Sequence, residues 1–102
     1  MGIPRYAARR DLSEAEIVGT LEAYGAQCWP LSAKGYPDLL VAYRGHWYLI
    51  ECKTKKEGLS KDQEDFHARA KGPIAILRGA AEAAEWIKEL RTKMHRHLRR
   101  SG

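Results

Sequence analysis

Two carboxylates and one lysine stand at the ends of two neighbouring apolar segments. Asp38 opens the segment 38–43, and Glu51 and Lys53 close the segment 47–53, with a tight turn at 44–46 between them. Side chains alternate between the faces of a strand, so Glu51 and Lys53 point to the same side. Antiparallel pairing about the turn brings Asp38 level with Glu51 or close to it. Adjacent carboxylates repel each other unless a cation relieves the repulsion, and Mg²⁺ prefers such oxygen ligands.

Other common catalytic and metal-binding patterns do not occur in the sequence. Cys28 and Cys52 form no CxxC pair and have no zinc-type spacing with histidine, and we expect both to pack as small apolar groups. His95 and His97 lie on different faces of a helix. The chain also lacks a glycine-rich phosphate loop and a Ser-His-Asp order, which argues against a nucleotide hydrolase or an acyl hydrolase.

The hydrophobic spacing predicts the elements that position these side chains. We expect a first helix from Ser13, capped by Ser13 and Glu16, to Gly25, and a second helix over 60–70, capped by Ser60 and Gln63. The other predicted elements are strands at 27–30, 38–43, 47–53 and 74–77 and a helix over 80–98. Three consecutive strands followed by a strand–helix–strand crossover predict an α/β fold with a mixed sheet flanked by helices.

The 102 residues predict one domain, and its net charge of +5 is unevenly distributed. Residues 1–87 are balanced, with 12 basic and 12 acidic side chains, whereas the C-terminal helix and tail at 88–102 carry six against one. A smaller basic N-terminal arm spans 1–12. Localised positive charge attracts polyanions, although a solvated tail explains it equally well. With no apolar segment of membrane-spanning length, no secretory signal and unpaired cysteines, we expect a cytoplasmic protein that is not secreted and contacts no membrane.

The two segments also carry a familiar motif. Pro37-Asp38 followed by Glu51-Cys52-Lys53 resembles the P-D…(D/E)-x-K signature of the restriction-endonuclease-like nucleases. Within that superfamily the segments GYPDLLV, YLIECKT and GLSKDQEDF are similar to the stand-alone virus-type replication-repair nuclease (VRR-NUC) family, over about residues 13–87. The resemblance implies a restriction-endonuclease-like αβββαβα core.

The resemblance also implies roles for individual residues. Asp38 and Glu51 would bind Mg²⁺ or Mn²⁺ together with the main-chain carbonyl of Cys52, and Lys53 would orient or deprotonate the attacking water. The family's first-helix glutamate matches Glu14, with Glu16 as the alternative, and Gln63 matches a glutamine that holds water or phosphate. Each of these last two also has a purely structural explanation, since Glu14 suits the first turn of a helix and Gln63 suits a capping box.

The implied activity is metal-dependent hydrolysis of DNA phosphodiester bonds, leaving a 5′-phosphate and a 3′-hydroxyl. The resemblance further implies a homodimer from a bacterial or phage-infected cell that acts in DNA repair on branched DNA, such as a Holliday junction or a flap. The alternative is a catalytically silent, nuclease-like module that only binds DNA or assists another protein. The predicted DNA contacts are Arg9, Arg10, Ser32, Lys34, Tyr36, Lys55, Lys56 and Lys61. His46, expected in the turn, is a further candidate for stacking.

Overall fold

A computed structural model describes the backbone of residues 5–101 and the side chains of residues 12–96. The elements follow the predicted order of helix, three strands, helix, strand and helix. They are α1 (Arg5–Ala23), β1 (Gln27–Pro30), β2 (Leu39–Tyr43), β3 (His46–Cys52), α2 (Lys61–Arg69), β4 (Ile74–Leu77) and α3 (Ala80–Ser101). None of the helices in this part of the chain is long and apolar enough to cross a membrane.

The strands form one sheet in the order β1-β2-β3-β4, and the predicted mixed α/β architecture is confirmed. β1, β2 and β3 pair antiparallel, as strands joined by short connections do. β4 pairs parallel with β3 because the chain crosses over through α2 before it returns to the sheet.

A two-residue turn sets the register between β2 and β3. Arg44 and Gly45 both have positive φ, at 49° and 83°, which matches the right-handed twist of a hairpin. Tyr43 pairs directly with His46, so His46 is the first residue of β3. The prediction that His46 lies in the turn is wrong. Counting back along the ladder places Leu39 opposite Ile50, and Asp38 therefore precedes β2 at the level of Glu51.

The core lies between one face of the sheet and the two long helices. Alternate residues of β2 and β3 point into it because side chains in a strand repeat with period two. The buried apolar residues of α1, the sheet and α3 form one cluster, comprising Ile17, Leu21, Ala26, Leu39, Val41, Tyr43, Ile50, Cys52, Leu77, Ala83 and Ile87. This packing anchors β3 directly, and Glu51 and Lys53 consequently point to the opposite face.

The prediction that the first helix begins at Ser13 is wrong. α1 begins at Arg5, because residues 5–12 contain good helix formers (alanine, arginine and leucine) and neither glycine nor proline. Ser13 is therefore an interior helical residue, and its Oγ donates a hydrogen bond to the carbonyl oxygen of Lys53 at 3.0 Å. Instead of capping α1, Ser13 ties this helix to the end of β3.

Candidate active site

The predicted acidic residues lie at the end of the β2–β3 hairpin that is distant from its turn. Asp38 is buried, and its Oδ2 accepts a hydrogen bond from the backbone N–H of Cys52 at 2.8 Å. β3 extends beyond β2 at this point, so the Asp38 carboxylate takes the place of a strand partner for that N–H. Glu51 is completely buried. The hairpin register therefore brings both carboxylates to the same end of the sheet.

Helix α1 adds a third carboxylate to this end. A carboxylate oxygen of Glu14, one of Asp38 and the Sγ of Cys52 all lie within 4.8 Å of one another. Glu16, the alternative first-helix acid, is exposed. Of the two glutamates, Glu14 is thus the one that α1 places beside Asp38. Ile17 and Leu21 bury the same stripe of the helix and hold it there.

The thiol of Cys52 differs chemically from its two acidic neighbours. Burial raises the pKa of Cys52, and the negative charges of Asp38, Glu14 and Glu51 raise it further. Cys52 therefore keeps its proton, and a neutral thiol is a poor ligand for a hard cation. The oxygen atoms of Glu14 and Asp38 are the donors at this position that suit Mg²⁺ or Mn²⁺. The two carboxylates fit a hard divalent cation.

Lys53 and Glu51 are linked by Gln63 on the face of the sheet that α2 covers. Lys53 is 2% exposed, and its Nζ donates a hydrogen bond to Oε1 of Gln63 at 2.6 Å. The Gln63 Nε2 donates to Oε2 of Glu51 at 3.1 Å. Lys53 also lies 3.6 Å from a carboxylate oxygen of Glu57. One amide therefore bridges a buried cation and a buried carboxylate.

The start of α2 determines which way the Gln63 amide points. Ser60 caps the helix by accepting from the backbone N–H of Gln63, and the Gln63 Oε1 accepts from the backbone N–H of Ser60 at 2.9 Å. The predicted capping box is confirmed. Because Oε1 faces Ser60 and Lys53, the amide nitrogen is left to face Glu51. The capping box thus accounts for the orientation of Gln63, and its role in holding water or phosphate stays a prediction.

His67 belongs to this network and was missed in the sequence analysis. Its Nε2 lies 3.1 Å from Oε1 of Glu51, and its side chain is 17% exposed. Gln63 and His67 are four residues apart on α2, so both project from one face of the helix. The spacing of Gln63 and His67 could have indicated that both residues share a helix face, but it identifies Glu51 as their common partner only when α2 is known to pack over Glu51.

The remaining predicted contacts lie on the rim of the site. Ser32, Lys34 and Tyr36 are exposed on the loop before Asp38, and the exposed Lys55, Lys56 and Lys61 follow Lys53 in the chain. Arg78, also missed, donates from Nη1 to the Thr54 carbonyl oxygen at 2.8 Å and so holds the loop that carries two of these lysines. The Arg9 and Arg10 side chains lie outside the described residues. His46 begins β3 at the opposite end of the hairpin, distant from the site.

Comparison with known proteins rests on the structure, because no protein-family model matches the sequence and no curated protein matches it either. A solved structure described as "VRR_NUC domain" superposes with a TM-score of 0.66 at 22% sequence identity. The match covers 78% of this chain and 95% of the other. The chain has the fold of a VRR-NUC domain. The restriction-endonuclease-like core implied by the motif is thus confirmed as a fold.

Proposed function

We propose that the protein is a metal-dependent endonuclease that hydrolyses phosphodiester bonds in DNA. The observation that carries this proposal is the burial of Lys53 and Glu51 at the same strand end, 2% and 0% exposed, where Gln63 bridges them. Burying two charges costs free energy that apolar residues at the same positions would not cost. Such an arrangement is typical of a site that handles charge in a reaction.

The metal ligands in this proposal are Asp38, Glu51 and Glu14, together with the main-chain carbonyl of Cys52. A bound Mg²⁺ or Mn²⁺ would polarise the phosphate and lower the pKa of a water molecule. The close approach of the Glu14 and Asp38 carboxylates supports these two ligands, since both offer hard oxygen donors, and Glu51 is included because it lies at the same level of the ladder as Asp38. Glu51 would be held for this role by Gln63 and His67, which contact its two oxygens separately.

Lys53 is the proposed group that orients the attacking water and stabilises charge on the phosphate. Its Nζ donates to Oε1 of Gln63 at 2.6 Å and lies 3.6 Å from a carboxylate oxygen of Glu57, so one of its three N–H groups remains to face a substrate. A lysine whose position is determined by a helix cap needs little reorganisation during the reaction. The products would carry a 5′-phosphate and a 3′-hydroxyl.

The exposed lysines on the rim support binding of a nucleic-acid backbone. Lys55 and Lys56 are exposed and follow Lys53 within three residues, and the exposed Lys61 lies two residues before Gln63. Contacts of this kind position a phosphate backbone without reading its sequence. We propose that branched DNA, such as a Holliday junction or a flap, is the preferred substrate.

A homodimer is proposed from the face of the sheet opposite the core. Trp29 and Trp47 are 42% and 63% exposed there, with ring centroids 5.7 Å apart, and Ile76 on the same face is 37% exposed. Neighbouring exposed aromatic side chains without charges suit a second apolar surface better than a phosphate backbone. A second copy presents the same rings about a two-fold axis, and two sites could then cut both strands of a branch.

The homodimer is tested by the molar mass of Trp47→Lys in solution. We expect wild type to have the mass of a dimer and Trp47→Lys that of a monomer, measured by light scattering during gel filtration. Leu12→Lys is the matched control, because Leu12 is an exposed apolar residue of α1. Equal masses for wild type and Trp47→Lys would rule out this interface.

The catalytic proposal is tested with Lys53→Met, which keeps the aliphatic length but removes the ammonium. We expect cleavage of labelled branched and linear DNA with Mg²⁺ to fall by about 10²–10⁴-fold. Lys71→Ala removes an exposed lysine beyond the end of α2 and should cleave like wild type. Cleavage by Lys53→Met at the wild-type rate would refute the assignment.

A separate measurement distinguishes an enzyme from a silent module. Calorimetric titration with Mn²⁺ should show binding by wild type and at least tenfold weaker binding by Asp38→Asn. A module that only binds DNA should show no metal binding that depends on Asp38, and its wild-type chain should leave every DNA substrate intact.

A further inference from the structure

A pocket of about 470 Å³ lies beside the proposed site, between the loop that precedes Asp38 and one side of α2. The residues that matter for its chemistry are Lys34, Tyr36, Asp62, Asp65, Phe66 and Arg69. The volume is in the range of pockets that take small planar ligands. Phe66, Asp65 and Arg69 take no part in the proposed metal binding or in the proposed role of Lys53.

Two aromatic rings form the apolar part of this pocket. The centroid of the Tyr36 ring lies 5.0 Å from that of Phe66, with the ring planes inclined at 43°. Tyr36 is nevertheless 54% exposed, so most of its ring surface remains accessible. An accessible aromatic ring backed by a second one is the kind of platform on which a nucleobase stacks.

The loop that carries Tyr36 is held firmly against α2. Gly35 has a φ of +82°, and a Cβ at this position would lie 3.0 Å from the Cβ of Asp62. The Tyr36 N–H donates to the Ala33 carbonyl oxygen at 3.1 Å, and the Leu31 N–H donates to the Asp38 carbonyl oxygen at 2.8 Å. These contacts close the loop, so the Tyr36 ring is in place before any ligand arrives.

The pocket shares lining residues with a cavity at the proposed active site. An adjacent cavity of about 300 Å³ is lined by Tyr36 and Asp62, as the pocket is, and also by Asp38 and Gln63. Tyr36 is two residues from Asp38 along the chain. A strand whose phosphate lies at Asp38 can therefore extend its neighbouring nucleotide into the pocket.

The charges in the pocket favour a base over a phosphate. Lys34 lies 3.5 Å from a carboxylate oxygen of Asp62, and Arg69 lies 3.1 Å from one of Asp65. Each cation is already matched by an anion, so a phosphate would gain little net attraction there. A neutral planar ring with amino and carbonyl groups can hydrogen-bond to both the acidic and the basic partner of such a pair.

We propose that this pocket receives a single nucleobase, unstacked from the nucleotide next to the cleaved phosphate. This inference rests on the proposed nuclease function and specifies its substrate. A base inside a duplex is paired and stacked, and its extrusion is costly. Among branched DNAs, the preferred substrate is therefore one with an unpaired nucleotide beside the scissile bond, as in a flap or a splayed arm.

The test compares Tyr36→Leu with Tyr36→Phe, which keeps the ring, in DNA binding measured by fluorescence anisotropy in EDTA. For a single-stranded oligonucleotide we expect Tyr36→Leu to bind about 5- to 150-fold more weakly than wild type and Tyr36→Phe to bind within twofold. For a blunt duplex of the same sequence we expect all three proteins to bind within twofold. A Tyr36→Leu variant that loses affinity equally for both DNAs, or for neither, would overturn the proposal.

A second probe follows the base itself with the unmodified protein. An oligonucleotide with 2-aminopurine at successive positions should show its fluorescence quenched at one position on binding, and Phe66→Leu should reduce that quenching. Uniform quenching at all positions would contradict a single base pocket. Both measurements are made without cleavage, so the pocket can fail while Lys53→Met still abolishes cleavage, and the nuclease proposal can fail while Tyr36 still binds single strands.

Discussion

Replacing Gln63 by leucine removes the amide that connects the two buried charges of the site. Gln63 Oε1 accepts from Lys53 Nζ at 2.6 Å and from the Ser60 N–H at 2.9 Å, and its Nε2 donates to Glu51 at 3.1 Å. Leucine has a similar volume, so the change leaves no large cavity but offers no polar atom. Within the described part of the chain, the Lys53 ammonium then keeps the carboxylate of Glu57, at 3.6 Å.

The expected loss of stability follows from these contacts. A hydrogen bond to a charged group contributes about 1.5–3 kcal/mol, and an uncompensated buried charge costs about 3–5 kcal/mol. Glu51 keeps His67 at 3.1 Å, which limits the loss on that side. We therefore expect Gln63→Leu to lower the free energy of unfolding by about 3–5 kcal/mol, a large part of the roughly 5–15 kcal/mol typical of a domain.

A double-mutant cycle with Lys53→Met isolates the bond between Lys53 and Gln63. When the ammonium is absent, Gln63→Leu breaks only the contacts to Glu51 and Ser60, so its cost should fall by about 1.5–3 kcal/mol. Urea unfolding of the four proteins, followed by circular dichroism, measures this coupling energy. A coupling within about 0.5 kcal/mol of zero would show that Gln63 does not hold Lys53.

Three further predictions concern the loop, a thiol and the α2 histidine. Gly35→Ala should lower the free energy of unfolding by about 1–3 kcal/mol in thermal denaturation, because its φ is +82° and the new Cβ would press on α2; Gly58→Ala, where a Cβ meets open space, should change it by less than about 0.5 kcal/mol. Burial, with a smaller contribution from the charge of Glu22, raises the pKa of Cys28 from 9.0 to about 11, so its thiolate fraction and its alkylation rate by iodoacetamide should rise about 100-fold from pH 8 to pH 10. A thiol with a pKa of 9.0 would show only about a tenfold rise, and mass spectrometry of the labelled peptide decides between them. His67→Leu should weaken Mn²⁺ binding about 10- to 100-fold, measured by calorimetry without DNA, whereas His67→Gln, which keeps a hydrogen-bond donor, should bind Mn²⁺ nearly as wild type does. Equal Mn²⁺ affinities of His67→Leu and wild type would show that His67 does not position Glu51.

Strand periodicity and turn chemistry were enough to predict the arrangement of the hairpin. The alternation of side chains places Glu51 and Lys53 on one face, and the hairpin register places Asp38 at the level of Glu51, although the turn is one residue shorter than the predicted 44–46. These are local rules, so they apply before the tertiary structure is known. The capping box at Ser60 is local in the same sense and was also predicted correctly.

The errors and omissions arise where a local signal competes with a longer-range one. Ser13 and Glu16 match a capping box, but helix propensity over residues 5–12 extends α1 past them, and Ser13 instead contacts Lys53. His67 and Arg78 acquire their partners only through the packing of α2 and the crossover into β4. These contacts depend on tertiary packing and not on residue spacing, so neither His67 nor Arg78 could be assigned to the site from the sequence.

The side chains of the proposed site come from three separate elements. α1 supplies Glu14, the hairpin supplies Asp38, Glu51 and Lys53, and α2 supplies Gln63. Since the Gln63 amide is oriented by the same hydrogen bonds that begin α2, a shift of this helix would move the partner of Lys53 and the partner of Glu51 together. The loop that carries Tyr36 also packs on α2, at Asp62. Under the proposed function, a base bound at Tyr36 and the side chains proposed to contact the phosphate would be aligned by the same helix, so that cleavage would require an unpaired nucleotide.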